Sequence, residues 1–223
     1  RYSLSKWESR YKILNREDPS NFFVISAPSG AGKTSLVKAL IDQKANCRAA
    51  ISHTTRPKRS EEIDGKDYHF ISKEEFDSLV KTNKFFEHAI IFNHQYGTLK
   101  EPVINYMNEG KDVLFDIDWQ GTQQLKRNKD ISIKTFFILP PNIKVLRNRL
   151  LNRHEGQEKL IEQRMKKFND EISHWNEYNY VVVNDELESC YKKILDYITN
   201  EKKGISQKQN VKGISKKIEE LTK

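Results

Sequence analysis

Cysteine is almost missing: Cys47 and Cys190 are the only two in 223 residues. They stand far apart and outside any ligand-like cluster, which excludes a disulfide framework and a structural zinc site and predicts free thiols in a reducing compartment. Nine glycines and six prolines are too few for a collagen-like or low-complexity chain. No apolar run approaches the roughly 20 residues of a membrane-spanning helix. Residues 1–20 are polar and charged, with no signal-peptide core. Together these absences predict a cytoplasmic protein with no membrane partner. Acidic residues are also outnumbered, 31 against 39 basic ones, leaving a formal charge of +8. A basic balance suits anionic partners, nucleic acid or nucleotide alike, and does not choose between them. What remains, 36% hydrophobic residues over this length, suffices for one well-packed domain with mobile subdomains.

Short β-rich runs recur at residues 22–25, 113–117, 133–139 and 180–183 with helix-like stretches between them, the alternation of parallel strands and crossover helices. The first helix follows Lys33, with Leu36, Val37, Leu40 and Ile41 on one face, and ends near residues 43–46. Pro140-Pro141-Asn142 closes the third run, and Asn142 is placed to cap a helix reaching Leu151 that carries Arg147 and Arg149, with Arg153 just beyond. A second helix is expected over residues 157–176. Between His53 and Pro102 the pattern breaks into short mixed segments rich in Arg, Tyr and Glu, as an inserted lobe would. From Glu201 the chain is Lys-rich and weakly apolar, which predicts a frayed helix or a tail.

The chemistry concentrates in Ala27-Pro28-Ser29-Gly30-Ala31-Gly32-Lys33-Thr34, placed between the first strand and the first helix. Such a turn exposes successive N–H groups as an anion nest, the helix aims its positive end at the same point, and Lys33 adds a full charge. Thr34 supplies a hydroxyl for a phosphate-bound Mg²⁺. The motif G-x-x-x-x-G-K-[ST] asks for glycine where Ala27 stands, so Ala27 must keep φ below zero. The plain alternative is a chance small-residue turn before a surface helix, and the strand before and helix after weigh against it because they are the context the motif demands. Asp116 and Asp118, ending an apolar run, can reach the metal or its water shell. A polar strand end reads equally well for that pattern alone, and it gains weight only beside Lys33 and Thr34.

A second anion site is expected where Arg56 and Arg59 flank Pro57, with Glu62 and Tyr68 behind them. The planar guanidinium grips a phosphate in a fixed orientation, whereas a solvated basic loop is the plain alternative. A buried Glu87, near Tyr96 and Thr98, would accept from the ring N–H and exocyclic amine of guanine, which adenine does not offer. His53, His69, His88 and His94 lack metal-ligand spacing and are expected to be structural or on the surface.

Taken in order, the loop 26–34, Ser52-His53-Thr54-Thr55-Arg56, Gly65-Lys66-Asp67-Tyr68, Tyr96-Gly97-Thr98 and Asp116-Ile117-Asp118-Trp119-Gln120-Gly121 resemble guanylate kinases of the bacterial type. The resemblance implies an α/β fold, with a phosphate-loop parallel sheet flanked by helices, an inserted mixed α/β GMP-binding lobe and a helical lid. Residues 1–20 would be an extension, 21–200 the kinase domain with the lobe at about 51–102 and the lid at about 143–173, and 201–223 a Lys-rich tail. It implies transfer of a phosphoryl group from ATP to GMP, and to dGMP, with Mg²⁺ as cofactor. Arg56, Arg59, Tyr68 and Tyr96 would hold the GMP phosphate and Glu62 would orient the arginines. Ser52, Glu87, Thr98 and Asp116 would read guanine, with Asp118 beside them. Lys33 and the lid arginines Arg149, Arg153 and Arg164 would act on the ATP phosphates, which lie on residues 27–34, and Asn184 would lie near the adenine.

Two departures stand out. Glu61 replaces a usual glycine beside the phosphate-gripping loop, and Asn152-Arg153-His154 replaces the lid's usual Gly-Arg-Gly, with Gly156 displaced. Both bear on the lid's hinge and rate of closure, not on the reaction. Non-catalytic scaffolds of this type have generally lost parts of the phosphate loop, which is intact here. Nucleic-acid binding rests on charge alone, since the aromatics do not interleave with Lys and Arg as a stacking module requires. Base specificity other than guanine and a homo-oligomeric state both stay open.

Overall fold

The structure is a computed structural model that describes residues 21–128, 131–153, 156–205 and 207–223, with the side chain of Arg153 outside the description. Residues 1–20 and His154, on which part of the sequence reading falls, lie outside the described residues. Five strands form a sheet in the order β2-β7-β1-β8-β9: Cys47–Ala50, Asp112–Asp116, Phe22–Ser26, Ile133–Leu139 and Tyr180–Val183. The pairs β2/β7 and β8/β9 run parallel. β1, β7 and β8 are Val-, Ile-, Leu- and Phe-rich runs buried almost throughout, as expected of strands covered on both faces.

The chain divides into two compact units. The first, among described residues, takes in 21–23, Lys44–Phe115 and Gln120–Ile133. It contains β2, most of β7 and a four-stranded sheet ordered β4-β3-β6-β5, from His69–Phe70, His53–Thr54, His94–Leu99 and Phe85–Ile91. β5 and β6 form a hairpin whose two connecting residues, Phe92 and Asn93, have φ of 48° and 66°. Positive φ at both central positions gives the loop the twist that matches the strands, and it is unusual for phenylalanine. Along β5 the alternation buries Phe85, Glu87 and Ala89, so a carboxylate sits on the apolar face by periodicity alone. Helix α2 (Lys73–Lys81) opens on a reciprocal capping box, Ser72 with Glu75. α3 (Lys100–Asn108) follows β6, and most of α4 (Trp119–Arg127) also belongs to this unit.

The second unit comprises Val24–Gln43, Asp116–Trp119 and Lys134–Lys223. α1 (Lys33–Gln43) has no acidic residue in its first turn, which leaves its positive end uncompensated. Asn142 caps α5 (Ile143–Arg153), its Oδ1 accepting from Val145 N at 2.8 Å. α6 (Glu158–Ser173) runs into a short 3₁₀ turn at His174–Glu177, so the expected second helix is shorter and changes pitch at its end. α7 (Leu187–Lys202) leads to α8 (Val211–Thr222).

The Lys-rich end is therefore neither frayed nor a free tail. Leu221 is buried, and Ile214 and Ile218 pack with it against a core of Phe137, Leu146, Leu150, Ile161, Phe168 and Ile172. An apolar stripe at i, i+4 and i+7 was hidden among the lysines. Ahead of α8, Gln209 Oε1 accepts from Val181 N at 2.8 Å and its Nε2 donates to Val181 O at 3.1 Å.

Candidate active site

In the second unit, strand β1 delivers the chain into a turn where Gly30 and Gly32 have φ of +90° and +97°. A side chain at Gly32 would be strained, and its Cβ would run into Asn184 Nδ2. Ala27 is not among the residues of positive φ, which among the described residues are Asn83, Phe92 and Asn93 besides glycines, so a methyl group is accommodated there as expected. The Ala31 carbonyl accepts from Asn184 Nδ2 at 2.8 Å and from Arg149 Nη1 at 3.3 Å. Arg149 Nη2 also donates to Asn184 O at 3.1 Å, so one arginine of α5 ties the loop to the end of β9. Lys33 Nζ lies 2.8 Å from Asp116 Oδ1. The half-buried Thr34 stands next, in the first turn of α1.

α6 reaches the same loop with two side chains. Arg164 donates to Ser29 Oγ, and Ser29 N donates to Glu171 Oε2 at 3.0 Å. Burial raises the Glu171 carboxyl above its usual range, against the pull of the Ser29 N–H and Lys33, while Asp118 adds to the rise. The Trp119 and His174 rings stack with centroids 3.9 Å apart. Sequence reasoning named Arg149, Arg164, Asn184 and both aspartates but missed Glu171 and His174. A signal existed for Glu171: it stands at i+7 from Arg164 on one helix.

In the first unit, Glu62 is the hub of the arginine cluster. Arg56 grips it with both guanidinium nitrogens, Nη1 at 3.0 Å and Nη2 at 2.7 Å, and Arg59 adds its backbone N–H at 2.9 Å and Nη1 at 3.3 Å. Burial alone would raise the Glu62 carboxyl, but the Arg56 and Arg59 hydrogen bonds outweigh it and hold it below the usual carboxylate range. The Arg56 guanidinium also lies over the rings of Tyr68 and Phe70, 5.4 and 5.6 Å from their centroids. Tyr96 meets Tyr68 edge-on at 5.9 Å. A planar cation fixed by a carboxylate and two rings loses little freedom on meeting an anion. Glu61, by contrast, is exposed and accepts from Ser60 Oγ at 2.9 Å.

Beside this cluster in the fold of the small sheet, Ser52, Thr98 and Glu87 form a buried polar chain. The Ser52 and Thr98 hydroxyls are 3.2 Å apart, and Thr98 Oγ1 donates to Glu87 Oε1 at 2.6 Å. Glu87 and Thr98 are directly opposed across the β5/β6 pair, and Glu87 is 3% exposed. Asp116 and Asp118 belong to the loop-bearing unit, where Asp116 meets Lys33. Of the histidines, His53 and His69 stack at 4.5 Å in the small sheet, and the described residues hold no metal-ligating cluster.

A strand, a glycine turn at positive φ and a lysine-headed helix on a parallel sheet define a phosphate-loop nucleotide-binding protein of the α/β class. The sequence profile described as guanylate kinase matches residues 20–201. Proteins named guanylate kinase from Rickettsia bellii and Rickettsia conorii are 48% and 49% identical, over 81% of this chain and 94% and 79% of theirs. The crystal structure of guanylate kinase from Anaplasma phagocytophilum superposes with a TM-score of 0.70 at 30% identity, covering 83% of this chain and 88% of that one. The chain belongs to the guanylate kinase family.

Proposed function

We propose that the protein transfers the γ-phosphoryl group of ATP to GMP, and to dGMP, giving ADP and the nucleoside diphosphate. The observation that carries this reading is the pairing, in one chain, of an intact phosphate loop with an arginine cluster ordered by Glu62 and a buried Ser52–Thr98–Glu87 chain. A loop alone would serve hydrolysis, whereas a second anion grip beside a guanine-selective carboxylate calls for a nucleotide acceptor. The acceptor phosphate has its second pKa near 6, so at neutral pH it is mostly a dianion and needs no general base. The work falls on alignment and on charge.

In this reading Arg56, Arg59, Tyr68 and Tyr96 hold the acceptor phosphate, and Ser52, Glu87 and Thr98 read the base; the family resemblance assigns Asp116 and Asp118 to the acceptor as well. Lys33 moves from Asp116 to the donor phosphates, released from its carboxylate by a stronger anion. Arg149, Arg153 and Arg164 neutralise the transferring group, and Asn184 sits by the adenine. Residues 27–34 cradle the donor phosphates, with N–H groups offered from the turn after Ser29. Thr34 would offer its hydroxyl to Mg²⁺, a hard cation that takes most of its ligands from phosphates and water. The ion supplies charge neutralisation on the donor phosphates. Residues 21–200 act as the kinase domain with lobe and lid, in the cytoplasm and in purine nucleotide metabolism, a setting that two free thiols support.

An acceptor panel tests the proposal. With Mg-ATP as donor, a coupled ADP assay on GMP, dGMP, AMP and UMP is expected to show turnover with the two guanine nucleotides and about 10⁴-fold lower kcat/KM with the others. Equal turnover with AMP would overturn the base assignment, and no turnover with any acceptor would overturn the activity.

A further inference from the structure

Ser29 receives two side chains from one helix. Arg164 and Glu171 are spaced i, i+7 on α6, so they project from one face two turns apart. The guanidinium meets the Ser29 hydroxyl and the carboxylate accepts the Ser29 N–H at 3.0 Å. Glu171 lies towards the end of α6 that is fixed a second time, three residues on, where His174 stacks on Trp119 at an interplanar angle of 12°. His174 Nδ1 is itself engaged by Glu177. Near Arg164 the same helix is held by Ile161 and Phe168 in the core and by Glu162, which accepts from Arg147 Nη2 of α5 at 2.7 Å.

We propose that Glu171 is a positioning residue: its hydrogen bond to Ser29 N–H pins the last turns of α6 to the phosphate loop and thereby sets the reach of Arg164, which rests on Ser29 Oγ until a triphosphate takes its place as acceptor. This rests on the phosphoryl-transfer reading above. The bond from Glu171 persists when nucleotide binds, because it engages the N–H of a residue on the rim of the turn. The bond from Arg164 exchanges, because a phosphate oxygen is a stronger acceptor for guanidinium than a neutral hydroxyl. Lys33 and Lys167 attract the Glu171 carboxylate and Asp118 repels it, so charge alone gives it no unambiguous seat. The directional bond to Ser29 fixes it.

Three substitutions at Glu171 separate this role from a bulk structural or purely electrostatic one. Glu171→Gln keeps an oxygen that accepts from Ser29 N–H and loses the charge. Glu171→Asp keeps the charge and is one methylene too short to reach. Glu171→Ala loses both. In steady-state assays with ATP and GMP, Glu171→Ala and Glu171→Asp are expected to lower kcat about 10- to 100-fold, the scale of a misplaced catalytic group, with KM for GMP unchanged within a factor of about two. Glu171→Gln is expected to stay within about threefold of wild type. Since Glu171 works through Arg164, adding Glu171→Ala to Arg164→Ala is expected to cause little further loss.

The proposal is overturned if Glu171→Asp is as active as Glu171→Gln or more so, if Glu171→Ala turns over like wild type, or if its loss multiplies with that of Arg164→Ala. Should Glu171→Ala fail to fold in a thermal melt, the comparison of Gln with Asp decides alone. A wild-type protein inactive on every acceptor would instead sink the transfer reading, so the two failures are told apart.

Discussion

Lys33 pairs with Asp116 at 2.8 Å, a contact that lets one side chain serve both the loop and the reaction. Removing the ammonium leaves the turn intact, because Gly30, Gly32 and the Ala31 carbonyl are held by backbone conformation and by Asn184 and Arg149. Lys33→Ala is expected to lower kcat by about 10³ or more while the far-ultraviolet spectrum and melting temperature stay near wild type. Near-normal turnover in a coupled ADP assay would refute that role. His53 makes a second prediction. Its pKa is pushed down to about 4 from 6.5, first by burial and then by the neighbouring His69, against the opposing pull of Asp64. The folded state thus favours the neutral ring, so the stability this provides is present above pH 6.5 and is lost as the pH falls towards 4. Glu62, held below 4.5, adds a further loss below that pH. Urea denaturation between pH 7 and 4 is expected to show a falling midpoint, and His53→Phe to flatten the upper part of that fall.

At the scale of elements, α8 is the clearest case of a helix defined by packing. Lys212 and Lys216 face water while Leu221 is 3% exposed against the core of α5 and α6. Leu221→Ala is expected to destabilise the protein by about 2 to 5 kcal/mol, read as a lower denaturant midpoint at unchanged slope. That element was not legible in the sequence, because three apolar residues spread through a basic run give little hydrophobic signal until a partner surface is known. β8, β9 and the α1 boundary were legible, since continuous apolar runs and a glycine-lysine turn carry their own instructions. The β5/β6 hairpin was not, because Phe92-Asn93 takes a turn conformation usually signalled by Asn-Gly. At the site, the arginine cluster was readable from residue types near a proline. The Glu171 contact with Ser29 was not: the i+7 spacing puts Glu171 on the face of Arg164 but does not say which loop that face meets, 142 residues away.

For the molecule as a whole, the two thiols report on the two units separately. Cys47 lies in the unit with the small sheet and Cys190 in the unit with the phosphate loop, and both are buried. Burial also pushes the Cys190 thiol up to about 12, which keeps it from forming a thiolate at neutral pH. The native protein is expected to leave a thiol-reactive dye uncoloured and to release both thiols in denaturant. Single Cys47→Ala and Cys190→Ala chains then time the opening of each unit. The placement of Gln209 has a consequence of another kind. β9 ends the five-stranded sheet, and an unguarded terminal strand is a template on which foreign strands polymerise. By occupying the N–H and C=O of Val181 with a single amide, residue 209 acts as a stopper in a zip. A Gln209→Ala chain is expected to show new self-association through the bared edge of β9 with rising concentration in light scattering.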